Sequence, residues 1–289
     1  LGQCNVPSPP RDFIAVAGGY AHSLGLKSDG SIVAWGWNEQ GQCAVPSPNS
    51  GFVAVSAGYY HSLGLKSDGS IVGWGWNELG QCAVPSPNSD FVAVSAGHGH
   101  SLGLKSDGSI VVWGGDSTIN EVPSPNSGFV AIVAGFEHSL GLKSDGSIVA
   151  WGRNLSGQSN LPTPNSGFVS IAAADYRSMG IKADGSIVTW GENMYGAGSV
   201  PSPNSGFVAV SGGRWHSLGL KSDGTVVSWG KNEYGECNTP SPNSDFVALG
   251  TGARHSLGLR ITGNVQLTVV GDPVNGGTVS KTPDLVTYA

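Results

Sequence analysis

The sequence predicts an all-β fold: a seven-bladed β-propeller of four-stranded antiparallel blades, the last closed by the N-terminal strand. Three observations carry that expectation. A block reading F-V-A-V-x-A-G-x-x-H-S-L-G-L-K-S-D-G-S-I-V-x-W-G recurs, headed by Phe13, Phe52, Phe91, Phe129, Phe168, Phe207 and Phe246 at intervals of 38 or 39 residues. A unit of about 40 residues repeated seven times has the period of a propeller blade. No segment carries an apolar period of 3.6, and glycine, 46 of 289 residues, interrupts every run.

The second copy shows what one unit builds. Phe52–Ala57 alternates with small residues and ends at Gly58. His61–Lys66 alternates Leu63 and Leu65 with Ser62 and Gly64, so it reads as a second strand. Ser67-Asp68-Gly69 is hairpin chemistry, and Ser70–Trp74 is β-branched and aromatic. Gly75–Gly80 turns, and Gln81–Val84 reads as a short fourth strand. Pro85-Ser86-Pro87-Asn88-Ser89 ends the unit, because proline lacks the ladder donor. One such unit cannot hide its apolar faces, so neighbours must cover them. Trp35, Trp74, Trp113, Trp151, Trp190 and Trp229 recur in register and are expected to fill the gaps with the Phe residues. Trp151→Ala should then cost about 3–5 kcal/mol.

The chain ends point to closure. Leu1–Pro9 is the last part of a unit with nothing before it. The seventh copy starts at Phe246 and runs to a third strand with Thr268 in the Trp place, but lacks a fourth. The N-terminal piece is expected to supply it, which removes exposed edges. Residues 1–270 are thus read as the propeller. Residues 271–289 form a C-terminal β tail in which Asp272–Val279 reads as strand–turn–strand; it either lies on the last blade or opens a further module. Leu1 in place of Met suggests a processed or excised chain.

With the four expected strands of a unit lettered a to d in chain order, antiparallel pairing puts the a–b and c–d loops on one face and the b–c turns and d–a links on the other. The second face is nearly constant, with Ser-Asp-Gly turns at Asp29, Asp68, Asp107, Asp145 and Asp223. The first face changes with every copy. The two residues before the repeated His include Tyr20, Tyr59, Tyr60, His98, Phe136, Glu137, Tyr176, Arg214, Trp215 and Arg254, and Trp37 and Trp76 follow the Trp-Gly pairs. Aromatic residues and arginine dominate interface energies. Loop drift alone would favour Ser, Asn, Gly and Lys. These twelve residues are the expected partner-binding set.

Composition excludes other classes. Charged residues are 12% and the net charge is −6 with no Lys/Arg run, which argues against nucleic acid. No apolar stretch is long enough for a membrane helix, so no membrane insertion is expected. No G-x-S-x-G, P-loop, calcium-loop or paired-carboxylate pattern occurs, so neither an enzyme nor a cofactor is expected.

The block G-x-x-H-S-L, D-G and W-G-x-N-x-x-G-Q, as in Gly58–Leu63, Asp68-Gly69 and Trp74–Gln81, resembles the regulator-of-chromosome-condensation repeat family over residues 1 to about 268. Within it, the short insertion-free unit looks most like the bacterial propeller that inhibits β-lactamases. That resemblance implies that Tyr20, Tyr59, Tyr60, Phe136, Tyr176 and Trp215 form a binding face, without implying the target. The eukaryotic namesake is a chromatin-binding nucleotide-exchange factor, whose basic tail and inserted loop have no counterpart here.

The resemblance also implies that His22, His61, His100, His138, His216 and His255 are structural, donating to backbone across blades, rather than metal ligands. Arg177 replaces the His in copy five. Cys4, Cys43, Cys82 and Cys237 share one repeat position on neighbouring blades, too far apart for a disulfide, and are expected to be small apolar fillers. The expected function is a non-enzymatic module binding a macromolecule through its aromatic loop face, with a protein as the partner and a glycan as the alternative. The low charge and the trailing segment suggest the outside of a bacterial cell or its surface. The competing reading is a structural subunit that self-assembles into a layer or filament.

Overall fold

Seven three-stranded antiparallel sheets follow one another along the chain. They are seen in a computed structural model that describes residues 2–7, 12–262 and 264–270. In the second sheet the inner strand is Phe52–Ala57, the middle strand His61–Lys66 and the outer strand Ile71–Gly75. The first sheet repeats this as Phe13–Gly18, His22–Lys27 and Ile32–Gly36. Each inner strand lies beside the next, and the inner strand of the seventh sheet, Phe246–Thr251, packs on that of the first. Backbone bonds stitch the inner ends together: Tyr59 N–H donates to Gly97 O at 3.1 Å, and Ala253 N–H to Gly19 O at 3.2 Å, which closes the ring.

Alternation in the middle strand explains the gaps between sheets. Leu63 and Leu65 point forward and, with Ile71, bury against Phe91 and Trp113 of the third sheet. On the opposite side Gly64 leaves room for Phe52, since a Cβ there would sit 2.6 Å from the Phe52 ring. Leu24, Leu26 and Ile32 meet Phe52 and Trp74 in the same way, and Leu102, Leu104 and Ile110 meet Phe129 and Trp151. The expected role of Trp and Phe as wedge fillers therefore holds, with Trp190 only half-buried. Seven small cores result, one per gap, each burying aliphatic surface on an aromatic face.

The expectation of four-stranded blades is corrected to three. The Gln81–Val84 stretch runs beside the outer strand, but its backbone groups are used elsewhere. Cys82 N–H donates to Asn77 Oδ1 at 2.8 Å, and Ala83 N–H to Gly80 O at 2.9 Å. With its donors drawn into a local turn, the segment builds no ladder. Helix is also not wholly absent. The third copy carries the one-turn helix Ser117–Asn120, capped by Asp116, whose carboxylate accepts from Thr118 N–H at 3.0 Å, and the fifth carries the 3-10 turn Met194–Gly196.

The N-terminal segment does take the outer place of the seventh unit, as irregular chain rather than strand. Cys4 is buried with Leu257 and Leu259 of the seventh sheet and with Phe13 and Trp35 of the first. In that seventh sheet the middle strand Ser256–Thr262 and outer strand Asn264–Val270 pair further toward their turn than in the other copies. Ser256 therefore faces Val270, as Ser62 faces Trp74, so Val270 and not Thr268 holds the Trp place. The extra pairs Ile261–Val265 and Thr262–Asn264 shift the register from that read through a turn of usual length. The tail 271–289 lies outside the described residues.

Candidate functional site

The repeated histidines come first, because they fix the loops above them. His22 Nε2 lies 3.0 Å from Ser62 Oγ of the next sheet, His61 Nε2 2.9 Å from Ser101 Oγ, and His255 Nε2 3.0 Å from Ser23 Oγ across the closure. Ser62 Oγ in turn donates to Gln42 O at 2.9 Å, and the Trp74 indole N–H donates to the same carbonyl at 2.9 Å. A hydroxyl has one proton, so Ser62 must accept from His22, which places the imidazole proton on Nε2. The expectation of donation to backbone is thus corrected: the acceptor is a serine hydroxyl, and the backbone carbonyl lies one step further on. The Nδ1 atoms of His22, His61, His100, His138 and His255 are buried without a partner. Burial holds these rings neutral, with pKa values lowered to about 3 for His22, His61, His100 and His216 and about 4 for His138 and His255. In the fifth unit Arg177 Nη2 replaces this bond, donating to Ser217 Oγ and His216 O, both at 3.0 Å.

Among the described residues no group of three His, Cys, Asp or Glu side chains is placed to hold a metal ion. None of the described helices is long and apolar enough to cross a membrane. Cys43 and Cys82 are more than fillers: their Sγ atoms donate to Trp37 O and Trp76 O, both at 3.3 Å, and burial pushes the thiols up to about 11.

The variable loops sit above this framework. Trp76 N–H donates to Tyr60 O at 2.9 Å, so the a–b and c–d tips of a sheet are tied into one face. Tyr20 and Tyr59 stack with ring centres 4.7 Å apart, and His98 stacks on Phe136 at 4.1 Å. Tyr59 meets Phe136 edge-on at 5.0 Å, and Phe136 meets Tyr176 at 5.2 Å. Tyr60 is flanked by Trp37 at 5.2 Å and Trp76 at 6.1 Å. These eight residues from five sheets form one aromatic field, its rings half-buried rather than fully offered to solvent. Glu137 stands apart, its carboxylate 3.5 Å from Arg153 Nε.

A second group gathers over the sixth and seventh sheets. Arg214 lies 4.4 Å from the centre of the Trp215 ring and Arg254 5.8 Å. The sequence reading omitted three members from its binding set. Lys231 Nζ is 4.7 Å from the Trp215 ring, Tyr195 approaches Trp215 at 5.9 Å, and Tyr234 lies 5.4 Å from Arg254. Tyr195 and Tyr234 precede the loop glycine where other copies have Gln40 or Leu79, and that departure was the signal available.

The reading also left out Asp175. It occupies the slot of Tyr59 in the fifth copy, is buried, and accepts from Tyr59 Oη at 2.5 Å across the axis. Arg214 Nε lies 3.4 Å from the same carboxylate oxygen. Burial raises the Asp175 pKa to about 6, against the Tyr59 hydrogen bond and the positive charge of Arg214, which lower it. Below this contact runs a central cavity of about 250 Å3 lined by inner-strand residues such as Ser56, Ser95, Ser211 and Thr251.

A ring of short sheets with a constant face and a variable aromatic one defines a propeller of the repeat type. The regulator of chromosome condensation (RCC1) repeat matches residues 13–42, 52–81, 91–118, 129–158 and 207–236, just over half of the chain. The chain belongs to the RCC1 repeat family. No curated protein sequence matches it. Its fold is similar to the ectodomain of the Physcomitrella patens receptor kinase CR4, with 24% identity and a TM-score of 0.74, covering 89% of this chain and 73% of that one. It is similar also to the CRINKLY WD40 ectodomain of the Arabidopsis thaliana receptor kinase ACR4, with 25% identity, a TM-score of 0.73 and coverage of 90% and 98%. The Saccharomyces cerevisiae protein Prp20p, studied for binding to Gsp1p and histones, matches with 19% identity, a TM-score of 0.69 and coverage of 93% and 83%.

Proposed function

We propose that the chain is a non-enzymatic recognition module that holds a protein partner on the face built by its a–b and c–d loops. The observation that carries this reading is the division of the two faces. Aromatic rings from five sheets converge on one, while the other repeats the same turn chemistry in copy after copy. Rigid, half-buried rings need little ordering on contact, which favours affinity. The described relative Prp20p binds Gsp1p and histones, which supports a protein as the partner class. The same proposal takes residues 1–270 as the recognition body and sets it outside the cell or on a bacterial surface, with a glycan as the alternative partner.

Self-assembly stays as a second reading because of one feature. Ile14, Val92, Val130, Val169, Val208 and Val247 stand exposed at the bulge of six of the seven inner strands, an apolar set on the constant face, while Val53 of the second is half-buried. Sedimentation of the purified chain separates the two: a monomer supports recognition, and a concentration-dependent polymer supports assembly. The direct test is Tyr60→Ala with Trp76→Ala. The folded variant is expected to lose a partner that the unaltered chain captures from its own source. Retention of that partner by the variant overturns the reading.

A further inference from the structure

Three cations of the variable face gather in one place. Arg214, Lys231 and Arg254 all lie within 6 Å of the Trp215 ring centre. Cations on an aromatic face are held by its quadrupole, so the three are fixed rather than free to spread. Their counter-charges are incomplete. Arg214 pairs with the buried Asp175, and Lys231 pairs with Glu233 at the rim. Among the described residues no carboxylate lies within 4 Å of Arg254, which is exposed between the Trp215 and Tyr234 rings. Elsewhere on this face, Arg153 is tied to both Asp116 and Glu137, while Glu39 and Glu78 stand exposed beside the aromatic field.

The chain as a whole carries −6, so this spot is a local reversal of sign rather than part of a basic surface. Like charges set this close repel one another, and that cost is relieved when an anion arrives. Such a spot steers and orients an oppositely charged partner more than it adds bulk affinity.

We propose that the Arg214–Lys231–Arg254 group around Trp215 is the docking point for an acidic loop of the protein partner. The loop presents carboxylates to Lys231 and Arg254 and lays an apolar side chain on the neighbouring rings. This rests on the recognition reading above and adds the chemistry of what is recognised. Orientation follows: the acidic end of the partner loop lies over the sixth and seventh sheets, and its apolar end toward Tyr60 and Trp76. Arg254 favours a carboxylate because its guanidinium offers paired donors in one plane.

The test is selection of a random displayed-peptide library on the intact immobilised chain at low salt. Enriched peptides are expected to carry Asp or Glu beside an aromatic or aliphatic residue and to shift the Trp215 indole N–H resonance. The exposed Arg254→Glu and the half-buried Lys231→Glu, both checked for native circular dichroism, should each weaken them on the order of tenfold, and added salt should weaken them further. Enrichment of neutral or basic peptides overturns the inference. So does binding that survives both charge reversals; if it is still lost in Tyr60→Ala with Trp76→Ala, the recognition reading stands without this one. Peptides insensitive to all four substitutions overturn both.

Discussion

Tyr59 of the second sheet and Asp175 of the fifth meet across the axis of the ring, hydroxyl to carboxylate, 2.5 Å apart. The contact spans the mouth of the central cavity and brings Arg214 of the sixth unit to the same oxygen. Desolvation raises the carboxyl, and the Tyr59 hydroxyl and Arg214 guanidinium oppose that by favouring the ionised form. Tyr59→Phe and Arg214→Ala should therefore each move the Asp175 midpoint further above 6. Carboxyl-carbon NMR titration of the two variants reads this directly. An unchanged or lower midpoint in both would show that the contact is absent in solution.

The relay between sheets yields a stability prediction. Ser62→Ala leaves His22 Nε2–H buried without an acceptor and removes one donor from Gln42 O. An orphaned buried donor costs about 1–3 kcal/mol. Denaturant unfolding should show that loss, while Ser70→Ala, in an exposed turn, should cost much less. Equal costs for the two would refute the relay as a source of stability.

The glycine three places before each His is hemmed in both by that His and by a carbonyl of the next unit, which for Gly58 is Gly97 O, 2.5 Å from where a Cβ would lie. A Cβ at Gly58 would lie 2.5 Å from His61 Cε1 and 2.7 Å from its Nδ1. The fifth copy breaks both rules at once, with Ala174 in the Gly place and Arg177 in the His place. Gly58→Ala should cost about 1–3 kcal/mol through overpacking. Adding His61→Arg should recover part of it, a coupling that a double-mutant cycle measures. Additive costs in that cycle would mean that the fifth copy is coincidence.

Acid should unfold the ring. The six imidazoles are held neutral, with pKa values near 3 or 4 against 6.5 in an unfolded chain. The unfolded chain therefore binds more protons below 6.5, and stability falls with pH from there until the folded values are reached. At about pH 5 each ring costs about 2 kcal/mol, and the six together are comparable with the whole stability of a domain. Asp175 has the opposite sign, since its raised pKa favours folding toward low pH, but it is a single group. Thermal melting should be flat above about pH 7 and should fall steeply toward about pH 4.5. A melting temperature that holds between those values would contradict the buried neutral rings.

Trp151 supplies the fifth prediction. It is 6% exposed and seats against Leu102, Leu104 and Ile110. Trp151→Ala should cost about 3–5 kcal/mol by chemical denaturation, and the half-buried Trp190 distinctly less. Equal costs would mean that burial is not what these indoles contribute.

Much of this was legible because the chain states it seven times. Leu63 and Leu65 alternating with Ser62 and Gly64 gives the middle strand, and the spacing of Phe and Trp gives the ring. The fourth strand was misread because extended-looking residues such as Cys82 and Ala83 spend their donors on Asn77 and Gly80, a competition invisible in a pattern of hydrophobicity. In the site, the aromatic tips were visible as departures from the repeat, and so was Lys231. What a single copy could not reveal was distance across the ring. Asp175 looked like one more variable tip until the fold set it against Tyr59, 116 positions earlier.

Gln3 serves Trp35 and Ser23 as Gln42 serves Trp74 and Ser62, donor for donor. The seam is therefore chemically equivalent to its neighbours, and the elementary piece of this molecule is the junction rather than the sheet. Cyclic permutation of the units leaves every such junction intact. The order in which the copies are strung fixes only which tips sit side by side, and so shuffling them would redraw the recognition surface while leaving the wheel beneath it unchanged.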